Sequence, residues 1–578
     1  GLIRTTYPSL DALRRLPIRP ADIVVILGAL ALIFALARIG SGTAVAFVPQ
    51  KHLVPQISLD PRDLPYYAAR SVLRMFVALF CSVLFTFAYG YAAAHSRRAE
   101  RVLIPLLDIL QSVPVLGFLT ITATGFIALF PGSLLGLEFA SIFAIFTAQA
   151  WNMTFSFYQS LRSIPKELDE AASLYGLSSW ERFTKIEIPS GMVGLVWNGM
   201  MSFGGSWFFL AASEAITVGN QNYTLPGVGS YVATAVLAKN IPALIWASIT
   251  IAIVIVVVDQ LFWRPVVAWS DRFRYEQSAA AVPPSSWVYD IIRAAHLPAL
   301  LVRAWAPIGE LFNRLFSRIT AAPTTHRRGS QDTVGYRIYN IAVPLAILGI
   351  VAYIAYFLIS MKVVGDIPHV FVLGFFTMLR VLILIAFSTL VWVPLGVAIG
   401  FNPRLARALQ PVVQFLASFP ANIVFPFATL AFITFHVPIN WGCIVLMALG
   451  AQWYVLFNTI AGAQSVPTEL REMTSDLEVT GWLRWKRFII PGIFSSWVTG
   501  AITASGGAWN ASIVSEVVTW GNTTLTAAGL GAYITEATAK GDGGREALGI
   551  VVMSIFVVVV NRLLWRRLYD YAKVRFAL

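Results

Sequence analysis

Long apolar runs recur along the whole chain and are separated by short polar segments. A run near twenty residues is what the hydrocarbon core of a membrane requires of a helix. In the first half the predicted spans are Ile23–Ala37, Ser71–Ala94, Val102–Phe130, Leu134–Tyr158, Pro189–Ala212 and Leu244–Trp263. In the second half they are Ile341–Ile359, Phe371–Gly400, Leu409–Phe435, Ile439–Gly462, Pro491–Val514 and Ala547–Leu564.

The pattern therefore predicts an all-α polytopic membrane protein with about 12 transmembrane helices, arranged as two homologous six-helix halves. Lys and Arg collect in alternate loops, and such loops face the cytoplasm. They include Arg97 and Arg98, Arg264 and Arg272, and Arg404. Both termini are then cytoplasmic, and the segment Arg38–Asp63 lies on the opposite side.

Composition supports a membrane protein, because 57% of the 578 residues are hydrophobic and only 12% are charged. A soluble protein of this length could not cover its surface with so few charges. The net charge of +13 fits basic loops beside anionic membrane lipids. No soluble segment is long enough to form a nucleic-acid-binding domain, so we expect no nucleic-acid partner.

The two halves repeat each other residue by residue. At an offset of 306, Arg74 meets Arg380 and Ser112-x-Pro114 meets Ser418-x-Pro420. After the next loop the offset becomes 302, and Gly204-Gly205 then meets Gly506-Gly507. An apolar pattern alone would not keep Pro, Gly and Arg in register, so the chain contains an internal duplication.

The repeat predicts three regions. The first half covers residues 1–264, and the second covers residues 341–578. Between them, residues 265–340 form a predicted cytoplasmic linker with interfacial helices at Trp287–Trp305 and Ile308–Ile319. A regulatory role for this linker remains an alternative to simple tethering.

Two polar loops interrupt the apolar pattern at equivalent positions, residues 163–189 and 466–491. Pro165 and Pro467 suit the first turn of a helix, and acidic residues follow them at the positive helix end. Basic residues come late in each loop, before the chain re-enters the membrane at Pro189 or Pro491. Because the same pattern occurs twice, we expect both loops to dock on similar partners.

The order Glu170-Ala171-Ala172, Gly176 and Ile188-Pro189 resembles the EAA loop of binding-protein-dependent ABC importer permeases. The second copy departs from that motif, with Met473-Thr474 at the Ala-Ala position and Glu478 at the Gly position. The resemblance implies a type I ABC importer-like fold with two coupling helices. The residues expected to couple to the ATPases are Glu167, Glu170, Ala171, Ala172, Gly176, Arg182 and Pro189 in the first loop, and Glu469, Glu472, Gly481, Arg484 and Pro491 in the second.

The same resemblance implies the partners. The chain has no Gly-x4-Gly-Lys-[Ser/Thr] motif, so ATP and magnesium are expected on two separate ATPase subunits, with no cofactor or metal on this chain. A periplasmic or lipid-anchored substrate-binding protein would deliver the solute, and the chain would lie in the bacterial inner membrane. Ser213-Glu214 through Gly227-x-Gly229, repeated in the second half, resembles the nitrate, sulfonate, taurine and bicarbonate subgroup, which implies a small anionic solute.

Candidate pathway residues come from the ends of two apolar segments. An ionisable group at membrane depth is a functional candidate by default. The candidates are Trp207, Ser213, Glu214 and Asn220, and their repeats Trp509, Ser515, Glu516 and Asn522. The alternative for each glutamate is an interfacial site bonded to nearby backbone or to the Asn turns. For Arg74 and Arg380 we expect snorkelling toward a headgroup.

Two other classes of protein remain as alternatives. A secondary transporter driven by an ion gradient shares the layout of two six-helix halves. It would need ion-coupling charges at mid-membrane and no docking loops. A membrane-embedded enzyme would need clustered carboxylates or metal ligands, whereas the six histidines are scattered along the chain.

Overall fold

A computed structural model of the chain describes residues 19–43, 56–218, 221–273, 285–296 and 333–575, with a few positions between 305 and 317. Most of this part of the chain is helical. In the first half the helices are α1 Pro20–Thr43, α2 Leu64–His95, α3 Arg97–Ser112, α4 Val115–Leu129, α5 Leu135–Arg162, α6 Lys166–Leu174, α7 Ser179–Arg182, α8 Ile188–Glu214, α9 Val228–Leu237, α10 Ile241–Val258, α11 Arg264–Ser270 and α12 Trp287–Ala294.

The second half repeats this order. Its helices are α13 Thr333–Ser360, α14 Ile367–Gly400, α15 Pro403–Ser418, α16 Ala421–Thr434, α17 Ile439–Ser465, α18 Thr468–Asp476, α19 Gly481–Arg484, α20 Ile490–Ser515, α21 Leu530–Lys540, α22 Gly543–Val560 and α23 Arg566–Arg575. A π-helical turn precedes α8 at Phe183–Glu187 and precedes α20 at Trp485–Ile489. Because the two π-helical turns occupy equivalent positions, we treat them as a feature of the fold that both halves share.

The prediction of an all-α polytopic membrane protein is confirmed. Six of the described helices are long and apolar enough to cross a membrane, and the bent pair α15–α16 would make seven. They are Pro61–His95, Ile241–Phe273, Val364–Gly400, Ile439–Ser465, Gly481–Ser515 and Gly543–Ala572. By the repeat, α5 and α8 are the counterparts of two of these. The total of twelve stays a prediction.

Two of the predicted spans are broken helices. Val102–Phe130 divides into α3 and α4 at Pro114, and Leu409–Phe435 divides into α15 and α16 at Pro420. The second break bends the chain by 77°. The prolines disfavour helical geometry in the residue before them, which explains why an unbroken apolar run does not give one straight helix.

Two short β-hairpins were absent from the sequence prediction. Strand β1 (Ala215–Val218) pairs with β2 (Gln221–Thr224), and β3 (Val517–Trp520) pairs with β4 (Thr523–Thr526). Each hairpin follows the long helix α8 or α20 and leads into the short helix α9 or α21. We call the end of the bundle that carries them the hairpin end, and the end that carries residues 163–189 and 466–491 the loop end.

The broken helices of each half pack against the long helices of the other half. Helix α4 packs on α20 and α22 of the second half, while α15 and α16 pack on α8 and α10 of the first. The Leu116 amide donates to Asn510 Oδ1 at 3.4 Å, and Asn422 Nδ2 donates to the Phe208 carbonyl at 3.2 Å. These two contacts are equivalent by the repeat, so the halves are related by a pseudo-twofold axis.

The predicted boundaries of the linker differ from the helix ends. The helix that begins at Ile241 continues through a π-helical turn at Asp259–Trp263 into α11, and α13 begins at Thr333. The predicted interfacial helix Trp287–Trp305 is helical at Trp287–Ala294, which is α12. Parts of this segment and of the predicted helix Ile308–Ile319 lie outside the described residues.

Candidate functional site

A buried cluster of ion pairs joins three helices at the hairpin end of the first half. Arg74 of α2 contacts Glu138 of α5 at 2.6 Å and Glu214 of α8 at 2.7 Å. Arg70 adds a second cation on Glu138 at 2.6 Å. Arg74 is 2% exposed and Glu214 is fully buried. Two positive and two negative charges therefore balance inside the bundle.

The second half carries a reduced version of this cluster. Arg380 Nη1 lies 2.9 Å from Glu516 Oε1, and its Nη2 donates to Asn440 Oδ1 at 3.1 Å. Asn440 stands where the first half has Glu138, and Phe376 stands where it has Arg70. One carboxylate and one guanidinium have been lost together, so this cluster is neutral too.

The glutamates also hold the segment after each hairpin. The Gly229 amide donates to Glu214 Oε2 at 2.7 Å, and the Ala532 amide donates to Glu516 Oε2 at 3.2 Å. A Cβ on Gly227 or Gly529 would overlap the carboxyl group of that glutamate. The Glu of each Ser-Glu motif therefore contacts the Gly-x-Gly motif of the same half.

This geometry corrects the expectation for the arginines. Arg74 and Arg380 do not snorkel toward a headgroup, because each points inward to a carboxylate. The sequence could not pair them, since Arg74 and Glu214 are 140 residues apart. Each glutamate is fully buried, and its carboxylate bonds Arg and Ser or Thr side chains as well as backbone amides.

The other described pathway candidates differ in their surroundings. Trp207 and Trp509 are 2% and 1% exposed in the cores of their own halves. Ser213 contacts Ser141 at 2.7 Å, and Ser515 is buried. Asn522 is exposed at the turn of the second hairpin, and Asn220 lies outside the described residues. Their role in a pathway stays a prediction.

The two repeated loops have the same backbone. Helices α6 and α18 begin after Pro165 and Pro467, and both end in a Schellman motif. Leu177 donates to the Ala172 carbonyl at 3.1 Å, and Val479 donates to the Thr474 carbonyl at 3.0 Å. Gly176 has φ +61°, and Glu478 has φ +49° at the equivalent position. The second loop keeps the left-handed conformation without the glycine that favours it.

Half of the predicted coupling residues are exposed at the loop end. This group contains Glu167, Glu170, Gly176, Glu469, Glu472 and Gly481, whereas Ala171, Arg182, Pro189, Arg484 and Pro491 are partly buried and Ala172 is 4% exposed. Large apolar side chains that the prediction omitted lie among them. Tyr175 is 84% exposed and its counterpart Leu477 is 65% exposed.

Each loop is anchored to its own half by different contacts. In the first, Arg182 Nε and His95 Nε2 both lie 2.9 Å from the buried Glu187. A capping box between Ser178 and Glu181 starts α7, and the bond from Lys185 holds the pKa of Glu181 below its usual value. In the second loop, Arg471 donates to the Ala463 carbonyl and stacks on Phe401 at 4.5 Å.

The linker contacts only one of the two loops among the described residues. Trp180 Nε1 donates to Asn313 Oδ1 at 2.9 Å, and the Trp180 ring stacks on Phe316 at 4.9 Å. The equivalent Trp482 is 72% exposed. The linker therefore covers an aromatic residue on the first loop that the second loop leaves open.

Together these features define a class of protein: a twofold-repeated helical membrane protein with a buried ion-pair cluster and a matching exposed loop in each half. The chain belongs to the family of binding-protein-dependent transport system inner membrane components, whose sequence profile matches residues 71–262 and 392–576. The two matches confirm the predicted resemblance and the presence of two fused permease domains.

Three relatives illustrate the similarity. The nitrate import permease protein NrtB of Leptolyngbya laminosa is 24% identical over 30% of this chain and 58% of its own length. The putative aliphatic sulfonates transport permease protein SsuC of Bacillus subtilis is 27% identical over 30% and 63%. The bicarbonate transport system permease protein CmpB of Synechococcus elongatus is 25% identical over 31% and 60%. The chain thus spans about three fifths of the length of each relative.

Removing one partner of a buried ion pair should be far more damaging than removing one partner of an exposed pair. We expect Arg74→Gln and Arg380→Gln each to lower the free energy of unfolding by about 3–5 kcal/mol, because a carboxylate is left buried without its cation. Thermal unfolding of the purified chain in detergent measures the loss.

The matched control is Arg545→Gln, which breaks a half-exposed pair with Asp366 at 2.9 Å. Its expected cost is less than about 1 kcal/mol. Equal destabilisation by Arg74→Gln and Arg545→Gln would show that the buried clusters carry no special weight.

The left-handed residue of the second loop gives a second prediction. Glu478→Gly should stabilise the end of α18, and Gly176→Ala should destabilise the end of α6, each by about 1 kcal/mol. Hydrogen exchange of the Val479 amide should slow about fivefold in Glu478→Gly, and exchange of the Leu177 amide should accelerate about fivefold in Gly176→Ala. The exchange rates should change in opposite directions at the two sites. Faster exchange in Glu478→Gly would contradict the left-handed conformation of Glu478.

Proposed function

We propose that this chain is the membrane subunit of an ATP-driven importer and that its two halves enclose the translocation pathway for a small anion. Two separate ATPase subunits bind the repeated loops at the loop end. A substrate-binding protein delivers the solute at the hairpin end. ATP and magnesium belong to the ATPase subunits, and this chain supplies the pathway.

The observation that carries the proposal is the pair of exposed apolar positions at equivalent sites of the two loops. Tyr175 and Leu477 project from matching Schellman motifs, and Leu174 beside Tyr175 is 87% exposed. An apolar residue this exposed at the water-facing end of a membrane protein favours a bound partner. Two such positions in register favour two copies of one partner, or two similar ones.

Acidic residues surround these apolar positions. Glu170 and Glu472 are exposed at equivalent sites on α6 and α18. A partner groove with an apolar floor and a basic rim would be complementary to both loops. Basic residues at the same end of the bundle, among them Arg97 and Arg404, support a cytoplasmic position for the loop end.

The ion-pair clusters support the mechanism that the proposal requires. They tie α2, α5 and α8, or α14, α17 and α20, to the hairpin of the same half, so each half can move as one body. Closure of the ATPase dimer would bring the two loops together and rock the halves about their shared interface. The proposed solute class is supported by the names of the relatives, which specify nitrate, aliphatic sulfonates and bicarbonate.

The test uses aspartate at the two equivalent apolar positions. In membranes of its native host, the tagged chain should co-purify with two ATPase subunits that hydrolyse ATP. Tyr175→Asp with Leu477→Asp should reduce the recovered ATPase activity at least tenfold, because each substitution places a charge in an apolar contact worth about 1–2 kcal/mol. Each single variant should retain part of the activity.

Leu237→Asp is the matched control. Leu237 is 67% exposed at the hairpin end of the first half, so the same substitution there should leave ATPase recovery unchanged. Solute uptake that follows a proton or sodium gradient, with no ATPase bound to the wild-type chain, would favour the secondary-transporter alternative instead.

A further inference from the structure

The paired glycines of the first half lie against two hydroxyl side chains of the second half. Gly204 and Gly205 are in the middle of α8, Ser418 ends α15, and Tyr454 is on α17. A Cβ on Gly204 would lie 2.5 Å from Ser418 Oγ, and a Cβ on Gly205 would lie 2.6 Å from Tyr454 Oη. The two halves are therefore in direct contact at this level, which we call the seam.

Tyr454 occupies the centre of the seam. Its hydroxyl faces Gly205 of the first half, and its ring faces Gly507, where an added Cβ would lie 3.7 Å from Cε2. The sequence marked Gly204-Gly205 and Gly506-Gly507 as a repeat without saying what they contact. In the structure, one glycine of each pair faces the same tyrosine, and only at Gly205 would an added Cβ overlap it.

A cavity of about 30 Å³ remains beside this contact. Met200, Met201 and Gly205 line it from the first half, and Gln414, Ser418 and Tyr454 from the second. Its size admits a single water molecule. The contact between Tyr454 and Gly205 thus leaves no room for a solute, and a cavity of about 280 Å³ adjoins it along Gly204, Gln414 and Ser418. The groups that line the small cavity would face the gap if the halves separated.

The polar groups that line this small cavity are neutral. The hydroxyls of Ser418 and Tyr454 can donate to an oxyanion, and the Gln414 amide donates to Asp259 Oδ1 at 3.4 Å. No carboxylate or cation is among the described residues that line this cavity. Neutral donors suit a pathway, because an anion bound by a fixed guanidinium would leave slowly.

Among the described residues that line the small cavity, the side-chain donors come from the second half. Asn152 stands at the position equivalent to Tyr454, and its amide donates to Ser202 of its own half at 3.2 Å. The repeat therefore does not place a second tyrosine opposite the first. One aromatic side chain closes the seam against the glycines.

We propose that Tyr454 and Ser418 form the gate of the translocation pathway and its contact site for a small oxyanion. In the closed seam they fill the space over Gly204 and Gly205. When the halves rock apart, the same hydroxyls donate hydrogen bonds to the passing solute. This inference rests on the proposed function, and it assigns the residues through which that function acts.

Leakage tests the gate without requiring the transported solute to be known. The chain is reconstituted in liposomes loaded with nitrate, and nitrate efflux is measured in the absence of ATP. Tyr454→Ala should raise efflux at least tenfold, because the ring that fills the seam is gone. Tyr454→Phe keeps the ring and should remain as tight as wild type. Tyr533→Ala, which removes a tyrosine whose hydroxyl contacts Asp366, is the control and should not leak.

A second pair of variants tests the steric contact and does not depend on Tyr454→Ala folding. Gly205→Ala should lower ATP-driven nitrate uptake by the assembled transporter at least tenfold, because its Cβ meets Tyr454 Oη. After Tyr454→Phe the nearest tyrosine ring atom would lie 3.9 Å away, an ordinary contact. The double variant should therefore transport at the rate of Tyr454→Phe alone. The gate hypothesis is rejected if the double variant transports more slowly than Tyr454→Phe, or if Tyr454→Ala releases nitrate no faster than wild type.

The contact site has its own readout. Tyr454→Phe and Ser418→Ala should each lower ATP-driven uptake of nitrate or methanesulfonate about fivefold, the effect of one hydrogen bond, with ATP hydrolysis unchanged. Wild-type rates in both variants would overturn the contact site. If the wild-type assembly itself takes up neither anion with ATP, the proposed function fails, and the leak assay still decides the gate.

Discussion

A charge buried among membrane helices must be accompanied by an opposite charge, because its desolvation is otherwise too costly. In each half this constraint brings an arginine of one long helix to a glutamate at the end of another, as Arg74 with Glu214 and Arg380 with Glu516. The same carboxylates bind the backbone amides that follow the hairpins. The hairpin end of each half is therefore a fixed unit, and the arrangement of its long helices follows from it.

The contacts between the halves are of a different kind. They combine apolar packing of the broken helices on the opposite half with glycines against hydroxyls and with single amide bonds such as those of Leu116 and Asn422. Such bonds contribute about 1 kcal/mol each, several-fold less than a buried ion pair costs to break. Each buried ion-pair cluster lies within a single half. The polar contacts between the halves are therefore weaker than the clusters inside them.

The sequence predicted the duplication and the two matching loops and singled out Glu214 and Glu516 as candidates, because these features are local or repeat in register. It did not predict the partners of Arg74, which are far apart in the chain, or the hairpins, which are four residues per strand. The break before Pro420 was visible as a proline in an apolar run, but hydropathy alone does not resolve a bend. Tyr454 carried no signal, since its role depends on Gly205 in the opposite half.

Fusion of the halves explains how the two sides could diverge. In a symmetric dimer every substitution occurs twice, whereas here a change on one side meets an unchanged partner. The ion-pair clusters show the limit on this freedom: Arg70 and Glu138 of the first half correspond to Phe376 and Asn440 in the second, so a cation and an anion differ together. Both clusters are therefore neutral, although the first has four charged side chains and the second has two. No charged side chain is among the described residues that line the small cavity of the seam, and there a single tyrosine on one side fills the contact.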